Sequence, residues 1–113
     1  MADQTHQLFL GIARHDPGVL EGLLQARAEN TEASGLDPKT YAMVNIAALI
    51  AVDAAPASFV WQIGLALEAG VLPEEILALL IALHPVLGSA RIVAAAPEIA
   101  LALGVDLDAL EMS

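Results

Sequence analysis

The sequence holds few side chains able to move a proton or grip a charge. His84 is the leading candidate for acid or base chemistry: it follows an apolar run, and an imidazole titrates in the physiological range. The competing reading is a partly buried histidine satisfied by a backbone carbonyl near Pro85. Arg91, alone among cations in the C-terminal half, suits bidentate capture of a carboxylate, or else pairing with Glu98. Ser58 and Gln62 lie one turn apart and share a helix with Trp61, so Ser58 and Trp61 are candidates for lining a ligand pocket and Gln62 is a second catalytic candidate beside His84. Tyr41 and Asn45 carry polar groups in an otherwise apolar segment, where each needs a partner and can orient a ligand or set the register of a core or subunit seam.

Other combinations do less. Glu74 and Glu75 are sequence neighbours, which point apart on a helix, so dipole complementation explains them better than paired-carboxylate catalysis. His6, His15 and Asp16 lack the spacing of a helical metal site, and no metal or cofactor is expected. There is no cysteine, which removes thiolate nucleophiles, disulfides and zinc–thiolate centres from this chain. A formal charge of −10, with only Arg14, Arg27, Lys39 and Arg91 as scattered cations, argues against nucleic acid.

The elements that must position these groups are helices. Leu8, Phe9 and Ile12 mark a first one. Asp16-Pro17 restarts the chain into a second, with Val19, Leu20, Leu23 and Leu24 on one face, running to about 27–32. The polar stretch 30–35 reads as a loop and hinge. Asp37-Pro38 opens a helix whose span from Tyr41 to Val52 carries no charge on any face and is expected to be buried all round. Asp53 and Pro56 end it. A further helix spans about 57–69, stopped by Gly70, and Pro73-Glu74-Glu75 opens another, disturbed near its end by His84-Pro85 and Gly88. Pro97 is expected to kink the last long segment, 89–103, or restart it at Glu98; Gly104 stops it, and 106–112 adds a short turn. The starts Gly35-Leu-Asp-Pro38 and Gly70-Val-Leu-Pro73 look alike. Period-two alternation is absent, so the fold class is all-α. The domain expectation is a single helical domain over 1–113, with N-terminal helices in 1–33 and a core in 34–104.

Apolar residues make up 58% of the 113, more than a small domain can enclose, because such a domain buries roughly two-thirds of its chain surface. No apolar stretch reaches the roughly 20 residues of a membrane span without a charge or breaker, and the first residues are not expected to act as a signal peptide, having no basic region followed by an apolar run. The excess is therefore expected to be buried against protein, in a cytoplasmic setting. The acidity keeps such an assembly in solution.

Three segments resemble the carboxymuconolactone decarboxylase and alkylhydroperoxidase-D superfamily: Ser34-Gly-Leu-Asp-Pro-Lys-Thr40 leading into 41–49, Ala66-Leu-Glu-Ala-Gly70 followed by Pro73-Glu-Glu-Ile76, and Leu87-Gly88-Ser-Ala90. The resemblance implies a compact multi-helix fold completed by homo-oligomerisation, as a trimer or hexamer. It also implies a Cys-x-x-Cys pair and a histidine on the helix ending at Gly70. Those positions fall at about Ala55, Ser58 and Gln62, and the upstream acid falls near Met43. Alanine has no nucleophile, serine is weak without a base, and glutamine transfers no proton near neutrality. The expected function is a homo-oligomeric family-like protein without thiol peroxidase activity, acting as a binding or structural member. The alternatives are a lactone decarboxylase or isomerase using His84 and Arg91 on a small carboxylate or lactone at a subunit interface, and a helical partner protein covering an apolar groove.

Overall fold

The computed structural model describes residues 16–105, and these are helical throughout apart from short junctions. The expected first helix around Leu8–Ile12, the residues His6 and His15, and the terminal turn at 106–112 lie outside the described residues. Five helices follow in order: α1 (Pro17–Ser34), α2 (Pro38–Val52), α3 (Pro56–Glu68), α4 (Pro73–Leu87) and α5 (Ser89–Ala102). By packing, the chain divides into a first unit ending at Asp37 and a second beginning at Pro38.

In the first unit, the Asp16 carboxylate caps α1 by accepting from the Gly18 and Val19 amides at 2.9 and 3.2 Å, and Pro17 sits where no amide donor is needed. The helix does not stop at 27–32 as its polar composition suggests. Thr31 Oγ1 donates to the Arg27 carbonyl at 2.8 Å and Ser34 Oγ to the Thr31 carbonyl at 2.6 Å, so residues read as a loop extend the helix by bonding back onto it. Gly35, at φ 74°, ends it. No residue of α1 is buried, although Val19, Leu20 and Leu23 are partly covered.

In the second unit, each of α2, α3 and α4 begins with proline in its first turn, which presets φ and wastes no hydrogen bond. The ends of α2, α3 and α5 share one solution. Asp53, Gly70 and Gly104 take positive φ, and the amide one residue further on bonds back five residues: Ala54 to Leu49, Val71 to Ala66, Val105 to Ala100. Asp53 holds the left-handed position at φ 55° without being glycine, which a short polar side chain tolerates.

The core is a set of narrow stripes. α2 contributes Ala42, Ile46 and Ile50, α3 Phe59, Ile63 and Ala66, α4 Ile76, and α5 Ala95 and Ile99, with Val71 closing the α3–α4 turn. The spacings of four and three residues put one line of each helix inward. α2 packs against α3, α4 and α5, and both α3 and α4 pack against α5. Glu75 reaches back from the first turn of α4 to accept from the Leu72 amide at 3.0 Å, and Lys39 Nζ lies 2.8 Å from the same carboxylate oxygen, tying the start of α2 to the start of α4.

Two expectations, burial of α2 all round and a restart of α5 at Glu98, fail here for a common reason. α2 is not buried all round: Val44, Ala48 and Val52 are exposed, because a four-helix packing needs only one line of a helix. Pro85 and Pro97 break neither α4 nor α5, and α5 does not restart at Glu98. The carbonyls those prolines leave without a helical donor belong to Ile81 and Val93, which stand 78% and 69% exposed, so water can take the place of the missing N–H.

Candidate functional site

Helices α4 and α5 meet at a single residue, Gly88, whose φ of 85° and ψ of 163° lie in backbone space open to little but glycine. The chain passes there from one helix to the next without a loop. His84, in the last turn of α4, and Ser89, the first residue of α5, are brought side by side: Nε2 and Oγ are 2.9 Å apart. With the imidazole proton on Nδ1, the serine hydroxyl donates to Nε2. Both side chains are exposed, so His84 is neither half-buried nor held by a carbonyl as one reading of the sequence had it.

The histidine also lines an open groove of about 330 Å³ whose other walls are Leu80, Ile81, Pro85 and Ile92. Every one of those four is apolar, and they come from one face of α4 and the first turn of α5. A groove of this size lies at the lower end of the range used for small ligands. Its chemistry is that of an apolar surface with one imidazole and a neighbouring hydroxyl at its edge.

Arg91 stands one residue before the groove-lining Ile92. Its Nη1 lies 3.5 Å from Asp53 Oδ2, so its partner is the end of α2 and not Glu98. Side-chain exposures of 41% and 60% make this a solvated pair, worth about 0–1 kcal/mol, which leaves the guanidinium exchangeable to another carboxylate.

The remaining sequence candidates lie elsewhere in the bundle. Ser58 and Gln62 are half-covered on α3, flanking the buried Phe59 and Ile63, and Trp61 is 38% exposed on the same helix. Tyr41 and Asn45 are half-covered on α2, flanking Ala42 and Ile46. Tyr41 and Gln62 each engage a neighbour. Met43 packs against the core and Ala55 precedes the first turn of α3. Among the described residues no group of three His, Asp or Glu side chains could hold a metal, and no helix is long and apolar enough to cross a membrane.

The fold alters the ionisation of Glu75. The hydrogen bond from Lys39, then that from the Leu72 amide, hold its carboxyl below the ordinary glutamate value.

Ser89 escaped the sequence reading because helical periodicity pairs positions three and four apart, and Ser89 is five from His84. The available signal was Gly88: a glycine between two helical segments lets the first side chain of the second fold back on the last turn of the first.

Compared with known proteins, residues 17–101 match the model of the carboxymuconolactone decarboxylase family. No curated protein and no solved structure matches.

Proposed function

The chain belongs to the carboxymuconolactone decarboxylase family, and from that premise we propose that it works as a homo-oligomeric binding member without thiol peroxidase chemistry. A cysteine-free sequence supports the second half of the statement. The first half rests on one observation: outward-facing, uncharged aliphatic stripes on the same helices that build the core. Val44, Ala48 and Val52 form one on α2, Val60, Gly64 and Leu67 one on α3, and Val93, Pro97 and Leu101 one on α5. Scattered exposed aliphatics are ordinary, but apolar residues repeating at helical spacing are the mark of a face made to be covered.

A second copy of the chain is the natural cover, and it accounts for an apolar content that one subunit cannot enclose. The family resemblance supports a trimer or hexamer as that assembly. A small apolar carboxylate or lactone fits the groove beside His84, with Arg91 near enough in sequence to serve its charge.

Native mass spectrometry of the purified protein without detergent tests this reading. The expected spectrum shows a trimer or hexamer, and Val60→Glu shifts it towards monomer by placing a charge in the seam. A monomer at micromolar concentration would overturn the oligomeric reading. Consumption of hydrogen peroxide above background would overturn the rest.

A further inference from the structure

We infer that Ser89 and His84 form a nucleophile–base pair that hydrolyses carboxylic esters, lactones included, whose acyl part is short and apolar. The inference stands on the geometry of one subunit and does not depend on the assembly proposed above.

Four observations converge on the α4–α5 junction. First, Oγ and Nε2 are 2.9 Å apart, within the reach a general base needs to take the hydroxyl proton. Second, Gly88 presents Ser89 at a sharp turn into a helix, so the hydroxyl stands clear of its own backbone and is open to attack a carbonyl. Third, Ser89 is the first residue of α5, which begins without a side-chain cap. The first-turn amides of a helix have no carbonyl behind them, and they point towards the same end as this hydroxyl, where an oxyanion would form. Fourth, the adjoining groove offers the walls of Leu80, Ile81, Pro85 and Ile92 to an acyl chain.

The chemistry balances with solvent water as co-reactant. Ser89 Oγ attacks the carbonyl carbon while its proton passes to His84 Nε2. The carbon–oxygen bond to the alcohol breaks, and the imidazolium returns the proton to the departing alkoxide. For a lactone the alkoxide stays attached as the far end of the opened ring. Water then attacks the acyl carbon and gives a proton to His84, the bond to Oγ breaks, and Oγ takes the proton back. Net, ester and water become acid and alcohol. Among the described residues no carboxylate pairs with the His84 ring, so turnover should be slow and the acylated serine should accumulate.

The test uses the full chain with p-nitrophenyl butyrate, following nitrophenolate release together with intact and peptide mass spectrometry. The expected result is a burst stoichiometric with subunits and a butyryl group mapped to Ser89. Ser89→Ala should abolish the adduct, and His84→Gln should slow acylation roughly a hundredfold or more, the usual scale of a general base. The wild type should acylate faster with the butyrate ester than with the acetate ester, and Ile81→Asp should bring the ratio of the two rates towards one. Far-UV circular dichroism confirms that each variant is folded; should Ser89→Ala unfold, the wild-type map and His84→Gln still decide. No adduct on the wild type, an adduct on Lys39 or an amino terminus, or one persisting in Ser89→Ala would overturn the inference. A monomer that acylates leaves it standing, and an oligomer that does not acylate sinks it alone.

Discussion

Helix α3 and the α4–α5 junction each carry a serine within one helical turn's reach of a polar partner, yet only one pair is equipped for proton transfer. On α3 the pair is Ser58 and Gln62, half-covered beside the buried Phe59 and Ile63. At the junction it is Ser89 and His84, hydrogen-bonded and exposed at the mouth of a groove. α3 is where the family resemblance places a thiol pair and a histidine. Here that helix keeps its buried stripe and none of that chemistry. The difference teaches that the fold depends on the inward line of α3, which constrains Phe59, Ile63 and Ala66, and is indifferent to what flanks it. The junction, conversely, has chemistry-bearing residues but contributes little core: its groove walls are only partly covered or exposed.

The sharpest way to break this comparison is to empty the α3 stripe. Ile63 is fully buried, so Ile63→Ala should cost about 2–5 kcal/mol of unfolding free energy, through lost transfer energy plus the cavity left behind. Gln62→Ala, one position away, should cost no more than about 1.5 kcal/mol, the scale of one hydrogen bond, and leave acylation of Ser89 untouched. Urea titration of the two variants beside the wild type reads both numbers. If Gln62→Ala abolished butyryl labelling, α3 would belong to the site and the division between scaffold and chemistry would be wrong.

Next in size is the junction's own support. At φ 85° and ψ 163°, Gly88 has open space where a Cβ would stand, so any cost of substitution is backbone strain and not a clash. Gly88→Ala should cost about 1–3 kcal/mol, and whatever relaxation relieves the strain should separate Ser89 from His84 and slow labelling. A variant of wild-type stability and reactivity would show that the conformation is dispensable.

How far this was legible in the sequence differs between the two regions. The prolines at 17, 38, 56 and 73 and the glycines at 35, 70 and 104 mark helix ends by local rules, so the order of elements can be read residue by residue. Local rules fail where the answer depends on which side faces water. Pro85 and Pro97 look like breaks and are not, because the carbonyls they orphan sit on exposed faces. Thr31 and Ser34 look like loop residues and instead bond back to the helix. The charge-free span 41–52 reads as wholly buried, yet Val44, Ala48 and Val52 face outward, since hydropathy reports that a face is to be covered without saying by what. In the candidate site His84 and Arg91 are recognisable by type, whereas their partners Ser89 and Asp53 are tertiary facts: one arises from the glycine between two helices and the other from the packing of α5 near the end of α2.

A smaller effect concerns Glu75, which stands in the first turn of the helix that carries His84 in its last. Its carboxyl lies below the ordinary glutamate value when folded, so its charge adds stability that is fully present above that ordinary value. The contribution drains away as pH falls through the folded value. Glu75→Gln keeps a side-chain acceptor for the Leu72 amide and removes the charge that meets Lys39. Its melting temperature should fall below wild type at pH 7, and the gap should close on acidification past the glutamate range. A gap that persisted at low pH would assign the effect to capping geometry in place of charge.

The least effect is expected where the junction meets the rest of the bundle through charge. Arg91 and Asp53 lie 3.5 Å apart, and both are substantially exposed, so solvent screens the attraction and side-chain entropy opposes it. Asp53→Asn should therefore cost no more than about 1 kcal/mol, and since asparagine also tolerates the left-handed backbone at φ 55°, the helix end itself should survive. The size of this small number decides what positions Ser89. A cost near zero leaves Gly88 and the packing of Ala95 and Ile99 as what orients α5. A cost of several kcal/mol, with loss of Ser89 labelling, would mean that the ion pair orients the start of α5, and the junction would then be held by charge in the way that α3 is held by its stripe.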